Sequence, residues 1–224
     1  MLVITVTAYA LPTLQLGIDG GIYDWSTEST VAQSDQFTLI ALLTPDDDGF
    51  LITQSYNLSM AIMPKIDTGM DLGSFSVDGN QFDVTGDMQY GTPPISELFP
   101  DLPDHGIFET YFAELTFTFN PNDMVAAYNV QDYTSSSNPD FLYKVAFDID
   151  TANLFEGYEV HFDLYRTGYD KKSDPDTWFA PFSHDAESGG DTPPPGGPVP
   201  EPATMFLMGI GLLGLGFGIR KKTK

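Results

Sequence analysis

The feature of this sequence that most constrains its fold is a two-residue alternation of apolar and polar side chains in its central part. The alternation runs through Tyr143–Asp150 and Tyr158–Tyr165, and shorter stretches at Leu115–Phe119 and Tyr56–Ile62 repeat it. Because successive side chains of a β-strand point to opposite faces, this period is typical of half-buried antiparallel strands. Phe37–Leu43 is apolar on both faces, which predicts a central strand.

Turn-forming pairs separate these stretches and favour a fold made only of strands. Asp48-Gly49 and Asp78-Gly79-Asn80 supply residues that tolerate positive φ, and no segment of the body keeps a helical period beyond about two turns. Eight or nine short strands with such turns predict a single antiparallel β-sandwich, jelly-roll-like, over residues 11–182. Further strands are expected at Thr13–Ile18, Phe75–Val77 and Phe82–Val84, and a long surface loop at Gly91–Gly106.

The charge of the chain restricts its partners. It has 32 acidic and 9 basic residues, a formal net charge of -23, and no cysteine. A body this acidic repels phosphate backbones, so nucleic acid is excluded as a partner, whereas divalent cations and basic partners are attracted. Solubility alone is an equally good explanation of the charge. Without cysteine the fold has neither disulfides nor thiolate metal sites.

The C-terminal part of the chain divides into three segments. Ser183–Pro198 is rich in Gly, Pro, Ser and Asp, which predicts a disordered, extended linker. Ala203–Ile219 is uncharged and predicts a transmembrane helix about 25 Å long, near the lower limit for crossing a bilayer. The basic residues Arg220, Lys221 and Lys222 follow it, and the positive-inside rule places residues 1–198 outside the inner membrane. A buried core helix, a helix-pairing segment and a plain tail anchor are the alternatives.

This order of segments resembles a known sorting signal. Pro200, Glu201 and Pro202 stand directly before the Gly-rich apolar helix, and the basic cluster ends it. Together these residues resemble the PEP-CTERM sorting signal of Gram-negative bacteria over residues 199–224. The resemblance implies recognition by an exosortase-type membrane protease, cleavage near the motif, and delivery to the cell envelope or the extracellular polysaccharide matrix. It implies nothing about the remaining body.

The N-terminal residues are consistent with export. Met1–Ala10 ends in Ala8-Tyr9-Ala10, which matches the small-x-small cleavage pattern, so we interpret residues 1–10 as a partial signal peptide. It has no basic n-region and its apolar stretch is short, so we expect a longer natural signal that starts upstream. A first strand at Leu2–Val6 is the alternative.

A second resemblance concerns the body of the chain. Leu11–Leu16 and Pro103–Phe112 resemble segments of bacterial choice-of-anchor surface proteins, in which similar bodies are joined to different C-terminal anchors. This resemblance implies a surface protein of unassigned biochemistry and adds no catalytic residues.

Catalytic motifs are absent from the sequence. It contains neither a Gly-x-Ser-x-Gly elbow nor a His-Glu-x-x-His pair. Of the three histidines, His105 lies in the proline-rich loop, His161 on a predicted polar strand face, and His184 in the predicted linker. The sequence therefore predicts that the protein is not an enzyme.

Paired carboxylates are the remaining catalytic possibility. Asp148 and Asp150 share one predicted strand face, and Glu159 and Asp163 share another with His161 between them. Such faces are more often solvated exteriors than catalytic clefts, so we expect these side chains to be exposed.

A structural Ca²⁺ ion is a further hypothesis. Asp46, Asp47 and Asp48 precede Gly49 in a tight turn, and carboxylate oxygens are ligands that Ca²⁺ prefers. The spacing does not match an EF-hand loop, and a solubilising acidic turn is the alternative.

Aromatic residues suggest a carbohydrate contact. Trp25 and Trp178 could stack on sugars, although aromatic residues of a β protein mostly lie in the core.

Taken together, these sequence features predict an exported structural or adhesive protein with no enzymatic activity. The alternative is a polysaccharide-binding lectin-like module or a carbohydrate-active enzyme, which a cleft with two carboxylates would favour.

Overall fold

The computed structural model describes residues 11–92, 108–169 and 175–189. Within them the chain forms strands and two single turns of 3-10 helix, at Leu51–Thr53 and Phe182–His184. The strands are β1 (Leu14–Ile18), β2 (Ile22–Asp24), β3 (Ser29–Val31), β4 (Gln36–Leu43), β5 (Ser55–Met63), β6 (Ser74–Val77), β7 (Asn80–Asp83), β8 (Gln89–Gly91), β9 (Thr110–Thr118), β10 (Met124–Ala126), β11 (Phe141–Asp150), β12 (Glu159–Tyr169), β13 (Pro175–Phe179) and β14 (Asp185–Glu187).

The strands form two sheets. The six-stranded sheet has the order β1-β4-β11-β6-β7, with β10 also paired to β11. The eight-stranded sheet has the order β2-β3-β14-β12-β5-β9-β8, with β13 also paired to β12. Every described strand pair is antiparallel except β14 with β3, which is parallel. The all-β prediction is confirmed, the eight-stranded sheet is mixed rather than antiparallel, and the jelly-roll connectivity stays a prediction.

One apolar core joins the two sheets. Alternate residues of β12, among them Phe162 and Leu164, are fully buried in the same cluster as Leu16 of β1 and Leu39 of β4. Phe162 also contacts Phe37, which belongs to the other sheet. The two rings pack edge to face, with their centroids 6.1 Å apart. This burial follows from the two-residue period, because it turns one apolar row of each strand towards the opposite sheet.

The predicted central strand at Phe37–Leu43 is confirmed. It is β4, which lies between β1 and β11 and has a register partner on each side. The strand at Tyr158–Tyr165 is also present, as β12, but it is not half-buried. Its polar residues Glu159 and Asp163 are buried as well as its apolar ones.

The predicted boundary between body and linker differs from the structure. The sequence places the linker at 183–198, whereas Phe182–His184 form a helical turn and Asp185–Glu187 form β14, between β3 and β12. The Val160 N–H donates to Ser188 Oγ at 2.9 Å, which ties the end of β14 to β12. Hydrogen bonds to the strands on both sides hold this polar segment in place. Because such bonds are made by the backbone, the composition of the segment does not indicate them.

Several predictions lie outside the described residues. They are the partial signal peptide at 1–10, the rest of the linker, the sorting signal at 199–224 with its helix at Ala203–Ile219, and all but the first two residues of the loop at 91–106. Within the described ranges, no helix is long and apolar enough to cross a membrane.

Candidate functional site: a histidine with three buried carboxylates

The strands β12 and β14 bring one histidine and three carboxylates together on the sheet face opposite to the core. His161 and Asp163 are alternate residues of β12, and Asp185 and Glu187 are alternate residues of β14. The register pairs His161 with Glu187, so all four side chains project from the same face. We call these four residues the His161 cluster.

Both ring nitrogens of His161 have acidic neighbours. Nδ1 lies 3.2 Å from Glu187 Oε1, while Nε2 lies 3.5 Å from Asp163 Oδ1 and 4.0 Å from Asp185 Oδ2. Ser29 of β3 adds to the arrangement by donating its hydroxyl to Glu187 Oε1 at 3.1 Å. Glu187 therefore accepts hydrogen bonds from two neighbouring strands.

The carboxylates of the His161 cluster are withdrawn from solvent. Asp185 is 1% exposed, Asp163 3% and Glu187 6%. Among the hydrogen bonds of the described residues, Oδ2 of Asp163 and Oδ2 of Asp185 have no partner. Ser59, the register partner of Asp163 on β5, is also fully buried and its hydroxyl has none. Buried polar atoms usually have a hydrogen-bond partner, so three buried atoms without one on adjacent strands are unusual.

The charges of the His161 cluster shift the pKa of its histidine. Burial by itself lowers the pKa of His161, but the charge of Asp163, hydrogen bonds to Asp163 and Glu187, and the charge of Asp185 outweigh it. The pKa of His161 therefore lies well above 6.5.

The pKa of Asp185 shifts in the same direction for a different reason. Burial and the like charge of Asp163 raise the pKa of this carboxyl well above 3.8, against the opposing attraction of His161. Both shifts describe a site that holds more negative charge than its one imidazole can balance.

The chemistry open to these residues is coordination of a cation. One atom from each of His161, Asp163 and Asp185 can be chosen so that all three lie within 4.8 Å of one another. The expectation of a solvated face at Glu159 and Asp163 is therefore wrong, because Glu159 is 9% and Asp163 3% exposed. Asp148 on β11, by contrast, is exposed as expected.

Sequence reasoning placed His161 and Asp163 on one strand face but missed their partners. Asp185 and Glu187 lie in the segment predicted to be a linker. Glu187 follows His161 by 26 positions in the sequence. The available signal was the period-two spacing of these two acids, which matches that of His161 and Asp163.

In the acidic turn at Asp46–Asp48, two carboxylates accept hydrogen bonds from backbone amides. The carboxylate of Asp46 accepts the Phe50 N–H at 2.9 Å and the Leu51 N–H at 3.2 Å, so it caps the helical turn that follows. Asp47 and Asp48 are exposed. Binding of Ca²⁺ here stays a prediction, with the carboxylates of Asp46 and Asp48 already bonded to backbone amides.

The two tryptophans have different surroundings. Trp25 is 71% exposed and meets Tyr23 edge to face, with ring centroids 4.8 Å apart. Trp178 is half-buried against the core, and the Arg166 guanidinium lies 5.9 Å from its ring centroid. Of the two residues predicted to stack on carbohydrate, only Trp25 is largely exposed.

The remaining predicted site residues belong to the C-terminal segment, outside the described residues. They are Pro200, Glu201 and Pro202, and the basic residues Arg220, Lys221 and Lys222.

The C-terminal segment matches a known family model. Residues 198–222 match the PEP-CTERM protein-sorting motif, and this range contains all six residues. No curated protein matches the chain. This motif is a C-terminal sorting signal for export and exosortase processing. The chain thus carries a PEP-CTERM protein-sorting motif at residues 198–222.

Proposed function

We propose that this chain is an exported protein of the cell surface or extracellular matrix, with a structural or adhesive jelly-roll-like body and no enzymatic activity. The observation that carries the proposal is the match of residues 198–222 to the PEP-CTERM protein-sorting motif, directly after an all-β body. An exosortase-type protease is the partner that reads the motif, and the inner membrane holds the chain until it is processed.

The sorting mechanism follows from the physical properties of the tail. The apolar segment at Ala203–Ile219 enters the bilayer, and Arg220, Lys221 and Lys222 stay on the cytoplasmic side. Pro200, Glu201 and Pro202 then stand at the outer surface of the membrane, where a membrane protease can reach them. A span of about 25 Å is short for a permanent anchor, which favours a temporary tether.

The burial of the His161 cluster supports a non-catalytic body. Its three carboxylates are between 1% and 6% exposed, so a polymeric substrate has no direct access to them. Paired carboxylates of glycoside hydrolases instead flank a bond of the substrate and must line an open cleft.

The sorting function is tested by replacing the motif in the natural host. The variant has Pro200, Glu201 and Pro202 changed to Ala, and the control has Pro193, Pro194 and Pro195 of the preceding segment changed to Ala. Cell fractionation and intact-mass analysis of each protein report both the location and the cleavage. We expect the wild-type protein and the control to lose the tail and leave the membrane, and the motif variant to stay there at full mass. A full-length wild-type protein in the cytoplasm contradicts the proposal.

A second function, binding of an extracellular polysaccharide, is favoured by the exposed Trp25. An indole that is 71% exposed and fixed edge to face by Tyr23 offers a flat apolar surface for a sugar ring. We expect a neutral β-glucan to retain the wild-type protein and a Phe155→Ala control, whose changed residue is also exposed, but not Trp25→Ala. Equal retention of all three proteins rules out this role of Trp25.

A further inference from the structure

We propose that His161, Asp163 and Asp185 bind one divalent first-row transition-metal ion, with Zn²⁺ and Mn²⁺ as the ions that best fit the ligands. The inference concerns the body of the chain and does not depend on the sorting motif. It rests on the positions of the four side chains and on the buried oxygen atoms that lack hydrogen-bond partners.

The spacing of the ligand atoms suits a small cation. His161 Nε2 lies 3.5 Å from Asp163 Oδ1 and 4.0 Å from Asp185 Oδ2. Neighbouring ligand atoms of a tetrahedral zinc ion are about 3.3 Å apart, since each metal–ligand bond is about 2.0–2.1 Å long. Small side-chain rotations would therefore close the three residues around one ion.

A hydrogen bond orients the histidine for this role. When Nδ1 carries the proton, it donates to Glu187 Oε1 at 3.2 Å, and the lone pair of Nε2 points towards Asp163 and Asp185. Glu187 is itself held by the Ser29 hydroxyl. A carboxylate behind a metal-binding imidazole is a common second layer of metal sites, where it fixes the tautomer and the ring orientation.

The unpartnered oxygens give an independent reason for a bound cation. Oδ2 of Asp163 and Oδ2 of Asp185 are buried without a hydrogen-bond partner among the described residues. The cluster has three carboxyl groups and a single imidazole to balance them. Burying unpaired charge is unfavourable, and a divalent cation would neutralise the excess and fill the free lone pairs.

The type of ligand selects the type of ion. Imidazole nitrogen suits zinc, iron, nickel and copper, whereas Ca²⁺ and Mg²⁺ prefer oxygen-only sites. Two carboxylates with one imidazole also suit Mn²⁺. A metal at this position would link β12 to β14, in a chain that has no cysteine for disulfide bonds.

The test uses the full chain, purified in detergent, stripped with EDTA and titrated calorimetrically with ZnCl₂, MnCl₂ or CaCl₂. The variants are Asp185→Asn, His161→Gln and Glu187→Gln. The control is the double variant Asp148→Asn, Asp150→Asn, which removes a period-two acidic pair from β11. His184→Gln is a second control, because His184 is a buried histidine outside the cluster with an unpartnered Nε2.

We expect one Zn²⁺ or Mn²⁺ per wild-type chain, much weaker binding of Ca²⁺, and no change in either control. Affinity should fall at least 100-fold in Asp185→Asn and His161→Gln and about 10–100-fold in Glu187→Gln. No bound Zn²⁺ or Mn²⁺ in the wild-type protein overturns the proposal. The proposal is also overturned if Asp185→Asn still binds the metal while either control, the double variant Asp148→Asn, Asp150→Asn or the variant His184→Gln, has lost it.

A second measurement guards against variants that fail to fold. X-ray absorption of the zinc-loaded wild-type protein should show nitrogen and oxygen ligands that include an imidazole. A spectrum without imidazole overturns the assignment of His161. In EDTA, Asp185→Asn should melt at or above the wild-type temperature, because the change removes a buried carboxyl group that lies beside the like charge of Asp163. Zinc should then raise the melting temperature of the wild-type protein and leave that of Asp185→Asn unchanged.

Discussion

The imidazole of His161 and the carboxylate of Glu187 meet at 3.2 Å, and this contact links β12 to the last described strand, β14. Its two residues come from segments with opposite appearances in the sequence. His161 lies in a strongly alternating stretch, whereas Glu187 lies in a stretch of polar residues and glycine. The contact makes the segment after Phe182 part of the folded body, and this leads to the first prediction.

Removal of β14 should destabilise the body. A chain that ends after residue 182 loses Ala186, which is fully buried, and the Ser188 hydroxyl that accepts the Val160 N–H. A chain that ends after residue 191 keeps both. We expect the longer chain to show a cooperative thermal transition by circular dichroism and to resist proteolysis, and the shorter chain to unfold at a much lower temperature. Equal melting temperatures would mean that β14 contributes no stability.

The His161 cluster should make the metal-free protein less stable in mild alkali. The folded pKa of His161 is raised above 6.5, so its contribution to stability is complete below pH 6.5 and is lost as the pH rises through the folded value. The raised pKa of Asp185 acts in the same direction, with its contribution complete below pH 3.8 and lost above it. Urea unfolding in EDTA should therefore give a lower free energy of unfolding at about pH 8.5 than at about pH 6.5.

Matched variants identify the source of this pH dependence. His161→Gln should flatten the dependence above pH 6.5, whereas Asp148→Asn, on the exposed face of β11, should leave it unchanged. A wild-type protein whose stability rises over this interval, with the rise abolished by His161→Gln, would contradict the direction of the shift.

His184 should give a pH dependence of the opposite sign. Its burial lowers the pKa to about 4, so the folded chain stays neutral there while the unfolded chain takes up a proton. Its contribution to stability is present above pH 6.5 and is lost as the pH falls through the folded value. Urea unfolding of His184→Gln should show a weaker loss of stability between pH 6.5 and 4 than the wild-type protein. An identical loss in both proteins would assign the effect to other groups.

The Asp46 carboxylate should stabilise the turn that follows it. Because it accepts the N–H groups of Phe50 and Leu51, Asp46→Ala should lower the free energy of unfolding by about 1 kcal/mol. The neighbouring exposed Asp47 is the matched control, and Asp47→Ala should change the free energy of unfolding by no more than about 0.5 kcal/mol. Urea denaturation measures both values. A larger effect at Asp47 than at Asp46 would show that the turn is held in another way.

The two tryptophans should differ in their effect on stability. Trp25 is largely exposed, so Trp25→Ala should change the free energy of unfolding by about 0.5 kcal/mol or less. Trp178 packs against the core beneath the Arg166 guanidinium, so Trp178→Ala should cost about 1–3 kcal/mol. Denaturant unfolding of the two variants compares them directly, and the reverse order would contradict the packing described for Trp178.

Sequence reasoning predicted the long strands and three shorter ones, β1, β6 and β7. The stretches at Phe37–Leu43, Tyr143–Asp150 and Tyr56–Ile62 are parts of β4, β11 and β5. The strands β3 and β14 were not predicted, because each has three residues of which only one is apolar. Backbone hydrogen bonds to neighbouring strands hold these segments, and such partners cannot be identified from local composition.

The strand-rich character of the body, its acidity and the sorting motif at residues 198–222 can be recognised from the sequence alone. Each of these depends on neighbouring residues along the chain, such as the alternation of β12 or the order of tripeptide, apolar segment and basic cluster. The contact of His161 and Asp163 with Asp185 and Glu187, by contrast, depends on the three-dimensional fold. The physical reason is that β14 pairs with β12 and β3 across long stretches of chain, so a polar segment becomes buried and its carboxylates face a histidine.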